Sequence, residues 1–396
     1  MKSLLDTHHL KSIENLGNET TSYESVLKIA ATLAPAEPVQ CFFPHKLRHQ
    51  INCFTNNFRG DVAFAVKANP SHQIIKSAHS LGIKTFDVAS LPEIDLVASN
   101  APEAKLHYHN PIKSKLEIQT AHFKFGCNRF AIDDLAELRK IFSVTGQNNE
   151  IEIAVRFSLP QSNNAVHDFS EKFGAKPAEA AHLLAHVKLL GFSPVLTFHP
   201  GSQCTTPAGW IEHIQAAAQI AQNADITLTK LNIGGGFPVK YAKEAKYPLE
   251  AFFTNIEQAA CAAFEFPPQL ECEPGRAIVG PSISLLTQVK HVRHEQREIY
   301  LNDGIYGSLL EMTQAEQLTP NLKVIKNGKY IQGNQQLYTV YGPTCDPLDR
   351  LPNKFQLPMS IAEDDYIEFE SLGAYGAATS TRFNGYGHAS IVEIKN

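Results

Sequence analysis

Long apolar runs, CxxC pairs, methionine and tryptophan are scarce in this chain, and charge is sparse: of 396 residues, 3 are Met, 1 is Trp and 19% are charged. No apolar stretch approaches the ~20 residues that a membrane-crossing helix needs, so no membrane span is expected. The cysteines, Cys41, Cys53, Cys127, Cys204, Cys261, Cys272 and Cys345, are odd in number and form no CxxC pair. This is unlike a disulfide framework and points to a reducing cytoplasm; no metal site is expected. Asp6, His8 and His9 interrupt the start before a signal-peptide core can form. The net charge of −5 is modest and the basic residues are scattered, which argues against nucleic acid and for a small-molecule partner.

What the chain does contain is core material, with 43% hydrophobic residues and no long low-complexity stretch. Its length exceeds one typical domain and suits a large barrel plus a smaller partner domain. From about residue 60 to 275, short β-rich runs alternate with helix-like stretches such as Asp133–Ile141 and Ala208–Ala221. The predicted strands are Val62–Lys67, Lys84–Val88, Lys105–His109, His122–Gly126, Glu152–Phe157, Pro194–His199, Lys230–Gly234 and Gln269–Glu273. Eight parallel strands imply an α/β fold, a closed (β/α)₈ barrel. Beyond residue 280 the helical signal fades, and Ile283–Val292, Glu298–Asn302, Gln336–Tyr341, Asp365–Glu370 and Ala389–Ile394 read as strands of a separate, mainly β domain. The expected division is 38–278 for the barrel and 1–37 with 279–396 for the β domain, Val39–Phe43 being a strand that joins the latter before a helix, His45–Phe58.

Lys67, Asp87, His109, Arg156, His199, the Gly234-Gly235-Gly236 run and Glu273 all fall at carboxyl ends of predicted strands, the rim where this fold builds active sites. Lys67 closes an apolar run, where an ammonium is costly unless paired or used; a lysine snorkelling to water is the plain alternative. Taken together, the clusters favour a Schiff base between Lys67 and pyridoxal phosphate, which needs an acid for its pyridine nitrogen and a cradle for its phosphate. Glu273 offers the acid. Arg276, after Pro274-Gly275, and the glycine run offer the cradle. His199 is placed to stack on the ring and Ser202 to reach the phosphate. Asp87 and Arg156 read equally well as a rim-stabilising ion pair. Cys345 follows the rigid turn Gly342-Pro343-Thr344 and is a candidate proton donor, with an ordinary buried cysteine as the alternative. Tyr375 and the Phe383-Asn384-Gly385-Tyr386 turn offer phenols, for which core packing is the default.

The segments FAVKAN, FDVAS, HPGS, GGGFP, EPGR, GPTCD and GAY occur in an order that resembles the fold-type III pyridoxal-phosphate decarboxylases, the alanine racemase-like family of ornithine, diaminopimelate and arginine decarboxylases, and most of all the ornithine branch. The resemblance spans nearly the whole chain. It implies Lys67 as the Schiff-base lysine, Glu273 on the pyridine nitrogen, His199 on the ring, and Ser202, Gly235, Gly236, Gly275, Arg276 and Tyr375 around the phosphate. It further implies a head-to-tail homodimer in which Cys345 and Asp346 act in the partner's site, with Tyr341 nearby. Lys172-Phe173-Gly174-Ala175 resembles a segment whose lysine contacts the other subunit. The expected activity is decarboxylation of a basic amino acid, L-ornithine to putrescine, in polyamine biosynthesis. Where the ornithine enzymes carry a Tyr-Asp pair for the distal amine, this chain has Gln314-Ala315, with Glu316 next to it as the candidate substitute in binding the substrate. Loss of that carboxylate keeps lysine, or a larger diamino acid, carboxylated polyamine or siderophore precursor, open as substrate. A non-catalytic cofactor-binding homologue is the remaining alternative.

Overall fold

The computed structural model describes residues 21–160, 171–241, 248–314 and 318–395. Alternation along each strand sets the plan of the barrel, because successive side chains point to opposite faces. Eight parallel strands close in the order Gln269–Cys272, Gly60–Ala65, Thr85–Val88, Lys105–Tyr108, Arg129–Ile132, Glu152–Arg156, Ser193–Thr197 and Lys230–Asn232. Phe64, Phe86, Phe130, Ile153, Leu196 and Leu231 belong to the large core shared with the surrounding helices. Ala131, Ala154 and Val195, on the opposite faces of their strands, form a small separate cluster.

The residues in phase with that inner cluster make layers. At the amino ends, Arg129, 2% exposed, donates to Glu271 (Nη2 to Oε1, 3.0 Å) and to Glu152 (Nε to Oε2, 2.7 Å). Lys230 Nζ reaches Glu152 at 2.5 Å, and His107 lies 3.5 Å from Arg129 Nη1. Two or four residues on, the same strand faces bring in the small residues and then the polar rim. A buried charge is tolerable only when paired and hydrogen-bonded, and this cluster meets that condition.

Seven of the eight predicted barrel strands fall where the structure has them, ending up to two residues earlier than expected. The fourth is corrected. His122–Gly126 is not a strand: Thr120–Lys124 is a π-helical turn continuing the helix Lys115–Gln119, and Gly126 (φ 68°) ends it. The fourth strand is Arg129–Ile132, buried throughout. The alternation in His122-Phe123-Lys124-Phe125 imitates a strand, but Phe123 is 65% exposed. The reciprocal capping of Ser114 and Glu117 commits the segment to helix first.

The second sheet runs Ser22–Tyr23, Ser390–Ile394, Val39–Phe42, Ile283–Arg293, Glu298–Leu301, Gln335–Tyr341, Arg350–Pro358, with Tyr366–Phe369, Leu322–Lys326 and Lys329–Ile331 branching from it. Val39–Phe42 thus pairs with the long strand Ile283–Arg293 and with Ser390–Ile394 before helix Pro44–Asn57 enters the barrel. Four strands went unpredicted, the two-residue Ser22–Tyr23 among them. Arg350–Pro358 carries two prolines, and the hairpin Leu322–Lys326/Lys329–Ile331 is rich in lysine, although its Asn327-Gly328 turn, both at positive φ, is a hairpin signal. The two domains meet at the site. Tyr375 N donates to Ala68 O at 2.7 Å and Asn69 Nδ2 to Gly373 O at 2.8 Å, which ties the segment after Tyr366–Phe369 to the turn bearing Lys67. A Cβ at Gly373 would meet Val279 O at 1.9 Å, so only glycine allows this approach.

Replacing Arg129 by Met strands the carboxylates of Glu271 and Glu152 inside the barrel. Urea denaturation is expected to show a loss of about 3–5 kcal/mol. Arg129→Met combined with Glu271→Gln should recover part of it, and equal stability of Arg129→Met and wild type would contradict the pairing.

Candidate active site

Lys67 stands on a 3₁₀ turn, Val66–Ala68, immediately after the first barrel strand. Its side chain opens into a cavity of about 400 Å³ lined also by Asp87, His109, Arg156, His199 and Glu273, with Lys172 and Phe173 of the loop after the fifth strand among the walls. The sequence-predicted residues of the rim therefore converge. Each belongs to a different strand end, and together they place two carboxylates, two cations and two imidazoles around one space.

Their charges settle one another. Glu273, 9% exposed, would be raised by burial, but His109, Lys67 and Asn232 outweigh this and hold it at about 2. Asn232 Nδ2 donates to Glu273 Oε1 at 2.6 Å, and His109 Nδ1 bonds the same oxygen. Asp87 goes the other way: burial and the negative Glu273 push it up to about 7, against the pull of Lys67 and His109. Burial would lower the Lys67 ammonium, yet Asp87, Tyr375 and Glu273 keep it above the ordinary lysine value. His199 is driven well below the ordinary imidazole range by burial, then by Lys67 and Arg156, so it stands as a flat neutral ring.

At the carboxyl ends of the last two barrel strands the backbone lies open. A Cβ on Gly235 would come within 2.6 Å of Glu273 O, and one on Gly236 (φ 93°) within 2.3 Å of Gly201 O. Among the described residues the amides of Gly235 and Gly236 have no hydrogen-bond acceptor. Ser202 is buried beside them, and a Cβ on Gly275 would collide with Ala68 at 2.8 Å. Arg276 is more constrained than its sequence suggests. Nη1 donates to Tyr241 Oη (3.0 Å) and Glu311 Oε2 (2.6 Å), Nη2 to Glu311 Oε1 (2.5 Å), and Tyr375 packs with its ring 4.8 Å away. Its Nε is buried without a partner.

Cys345, Asp346 and Tyr341 do not line this cavity. Cys345 is exposed, its amide donating to Asn384 Oδ1 at 3.1 Å. Tyr306 Oη donates to Asp346, which with the Leu348 amide holds that carboxyl below the ordinary aspartate value. Tyr341 stacks on Tyr300 at 5.0 Å. Asp349 fixes the turn before them, accepting from Thr344 N and Oγ1 (3.0 and 2.7 Å) and Ile305 N (2.9 Å). Ala315 and Glu316 lie outside the described residues. Sequence reasoning assigned no role to Asn232, Glu311 or Tyr241. Asn232 sits two residues before the glycine run it braces (Gly234 N to Asn232 Oδ1, 2.8 Å), a signal present in the sequence. Glu311 and Tyr241 lie in segments with no motif of their own.

Residues 45–280 match the family described as "Pyridoxal-dependent decarboxylase, pyridoxal binding domain". Among curated relatives, the lysine/ornithine decarboxylase of Selenomonas ruminantium is 32% identical over 336 residues, covering 83% of this chain and 82% of its own. A crystal structure of the Vibrio vulnificus lysine/ornithine decarboxylase complexed with putrescine superposes with a TM-score of 0.80 at 28% identity, over 93% of this chain and 96% of that one. One of SrLDC in complex with PLP and cadaverine gives a TM-score of 0.81 at 28% identity, over 95% of each chain. Among the described residues no helix is long and apolar enough to cross a membrane.

The stability that Asp87 contributes through its raised carboxyl is fully present below its unfolded value near 3.8 and is lost as pH rises through about 7. The corresponding change for Glu273, whose carboxyl is lowered, falls between 4.5 and about 2, outside that window. The Tm of the cofactor-free protein should therefore drop between about pH 4 and 7 by more in wild type than in Asp87→Asn. Parallel profiles for the two proteins would contradict this electrostatic arrangement.

Proposed function

The chain belongs to the pyridoxal-dependent decarboxylases, and from that premise we propose that it removes the α-carboxyl group of a basic amino acid, L-ornithine first, releasing putrescine. The observation that carries this reading is the cavity in which Lys67 meets an ionised Glu273 and a neutral His199, with the backbone of Gly235 packed close against both of these. The residues present fit pyridoxal phosphate. The unpartnered Nε of Arg276 and the free amides of Gly235 and Gly236 suit a phosphate, and an anionic carboxylate at a cavity wall suits a protonated ring nitrogen. When bound, the cofactor supplies an electron sink for the pair left behind as carbon dioxide departs.

The chain's own groups do the rest. Lys67 would supply the amine that holds the cofactor aldehyde, and Asp87, whose carboxyl is pushed up to about 7 by burial and Glu273, is a neighbouring group able to exchange a proton with it. Glu273 keeps the ring nitrogen charged. With the cofactor bound, His199 would lie against its ring, and Ser202, Gly236, Gly275, Arg276 and Tyr375 would hold its phosphate. Cys345 returns a proton to the substrate carbon, and Asp346 with Tyr341 meets the substrate's distal amine, all three coming from a second copy of the chain. The exposure of Cys345 in its own chain and the position of Lys172 among the walls of the cavity support that sharing. Lysine is the next substrate, in line with the lysine/ornithine names of the similar proteins; a larger diamino acid follows from Ala315. The cysteines, all free, suit a cytoplasmic location.

Two measurements test this. Purified protein supplied with pyridoxal phosphate is expected to release carbon dioxide from ornithine or lysine, with the diamine identified by mass; no turnover of any diamino acid would refute the assignment. Lys67→Ala and Cys345→Ala should each be inactive as homodimers, yet a mixture that exchanges subunits should regain about a quarter of wild-type activity, since half the dimers then hold one intact site. No recovery on mixing would refute a shared site.

A further inference from the structure

Glu273 is held by one oxygen only. Oε1 receives both His109 Nδ1 and Asn232 Nδ2, whereas Oε2 makes no hydrogen bond among the described residues. Asn232 is completely buried and cannot easily turn, because its own Oδ1 accepts from Gly234 N. His109 is braced from below. It stacks on His107 with ring centroids 5.3 Å apart and an angle of 29°, and His107 in turn lies against Arg129 of the paired interior cluster. Burial, then Arg129, holds His107 neutral, so it adds no charge to the stack. The charged groups facing His109 are Glu273, Asp87 and Lys67 in the cavity and Arg129 behind His107. Because an ionised carboxylate only accepts, the imidazole must carry its proton on Nδ1. Nε2 is buried and has no partner among the described residues, so within them the contact to Glu273 is the one polar bond this side chain makes.

We propose that His109 is a positioning residue for Glu273: it fixes the carboxylate by Oε1 so that Oε2 is presented to the ring nitrogen of bound pyridoxal phosphate. The proposal rests on the cofactor reading above. Its specific content is that His109 acts through the ring nitrogen and not through the bulk of the site. A Glu273 free to rotate would instead turn toward Lys67, a cation of the same cavity whose charge acts on it, and lose its aim.

The test compares the cofactor-free wild type with His109→Leu and His109→Asn, the latter keeping an N–H close to the Nδ1 position. Each is titrated, by absorbance and fluorescence, with pyridoxal phosphate and with its 1-deaza analogue, in which carbon replaces the ring nitrogen. Wild type and His109→Asn are expected to prefer pyridoxal phosphate by roughly tenfold or more. His109→Leu should bind the deaza analogue as wild type does and lose most of that preference. Equal weakening toward both ligands in His109→Leu, an unchanged preference, or failure of His109→Asn to retain it each overturns the positioning role. Should the Leu variant not fold, His109→Gln, which moves the amide away from Glu273, takes its place with the same expectation. If wild type itself binds the two ligands equally, the pairing of Glu273 with the ring nitrogen is what fails, and the inference falls with it.

Discussion

A carboxylate kept ionised inside a protein is the constraint around which this molecule is arranged. Glu273 is almost wholly withdrawn from water, a position in which an acid ordinarily takes up a proton. Lys67 across the cavity and the donors on Oε1 reverse that tendency. The same charge forces Asp87 toward its neutral form and helps to keep Lys67 an ammonium. One anion thus sets the protonation of its neighbours, and any substitution at Glu273 would be felt by all of them.

The barrel makes this possible by stacking its interior in layers. Arg129, Glu152, Glu271 and Lys230 satisfy one another at the amino ends of the strands, small side chains such as Ala131 and Ala154 fill the middle, and the reactive rim follows on the same strand faces. A plug of paired charges gives the floor of the site a fixed geometry, which an apolar filling of similar size would supply with less directional hold. The β domain contributes by docking its Gly373–Tyr375 segment on the turn that carries Lys67. Each domain would leave the site incomplete without the other.

Much of this was legible in the sequence, and for identifiable reasons. Strand ends announce themselves when apolar alternation stops at a polar residue, so Lys67, Asp87, Arg156, His199 and Glu273 could be placed on one rim before any coordinates. Glycine runs mark backbone packed too closely for a side chain, and Gly235 and Gly236 lie in this way against Glu273 O and Gly201 O. The misplaced fourth strand arose because four residues of helix, His122 to Phe125, alternate like a strand, while the capping residues Ser114 and Glu117 that commit the segment to helix lie several positions upstream. Contacts between residues far apart in the chain were not legible. Arg276 meets Glu311 and Tyr241 only through the fold, and His109 meets Glu273 across 164 positions. No local pattern encodes such pairs.

The central claim is that the amine of Lys67 is the one that takes the cofactor. The most direct measurement is to incubate the protein with pyridoxal phosphate, fix the adduct with borohydride, digest it and locate the modified peptide by mass spectrometry. The account predicts a single modified site at Lys67, absent from Lys67→Ala. Modification at another lysine, or none at all under saturating cofactor, would contradict it.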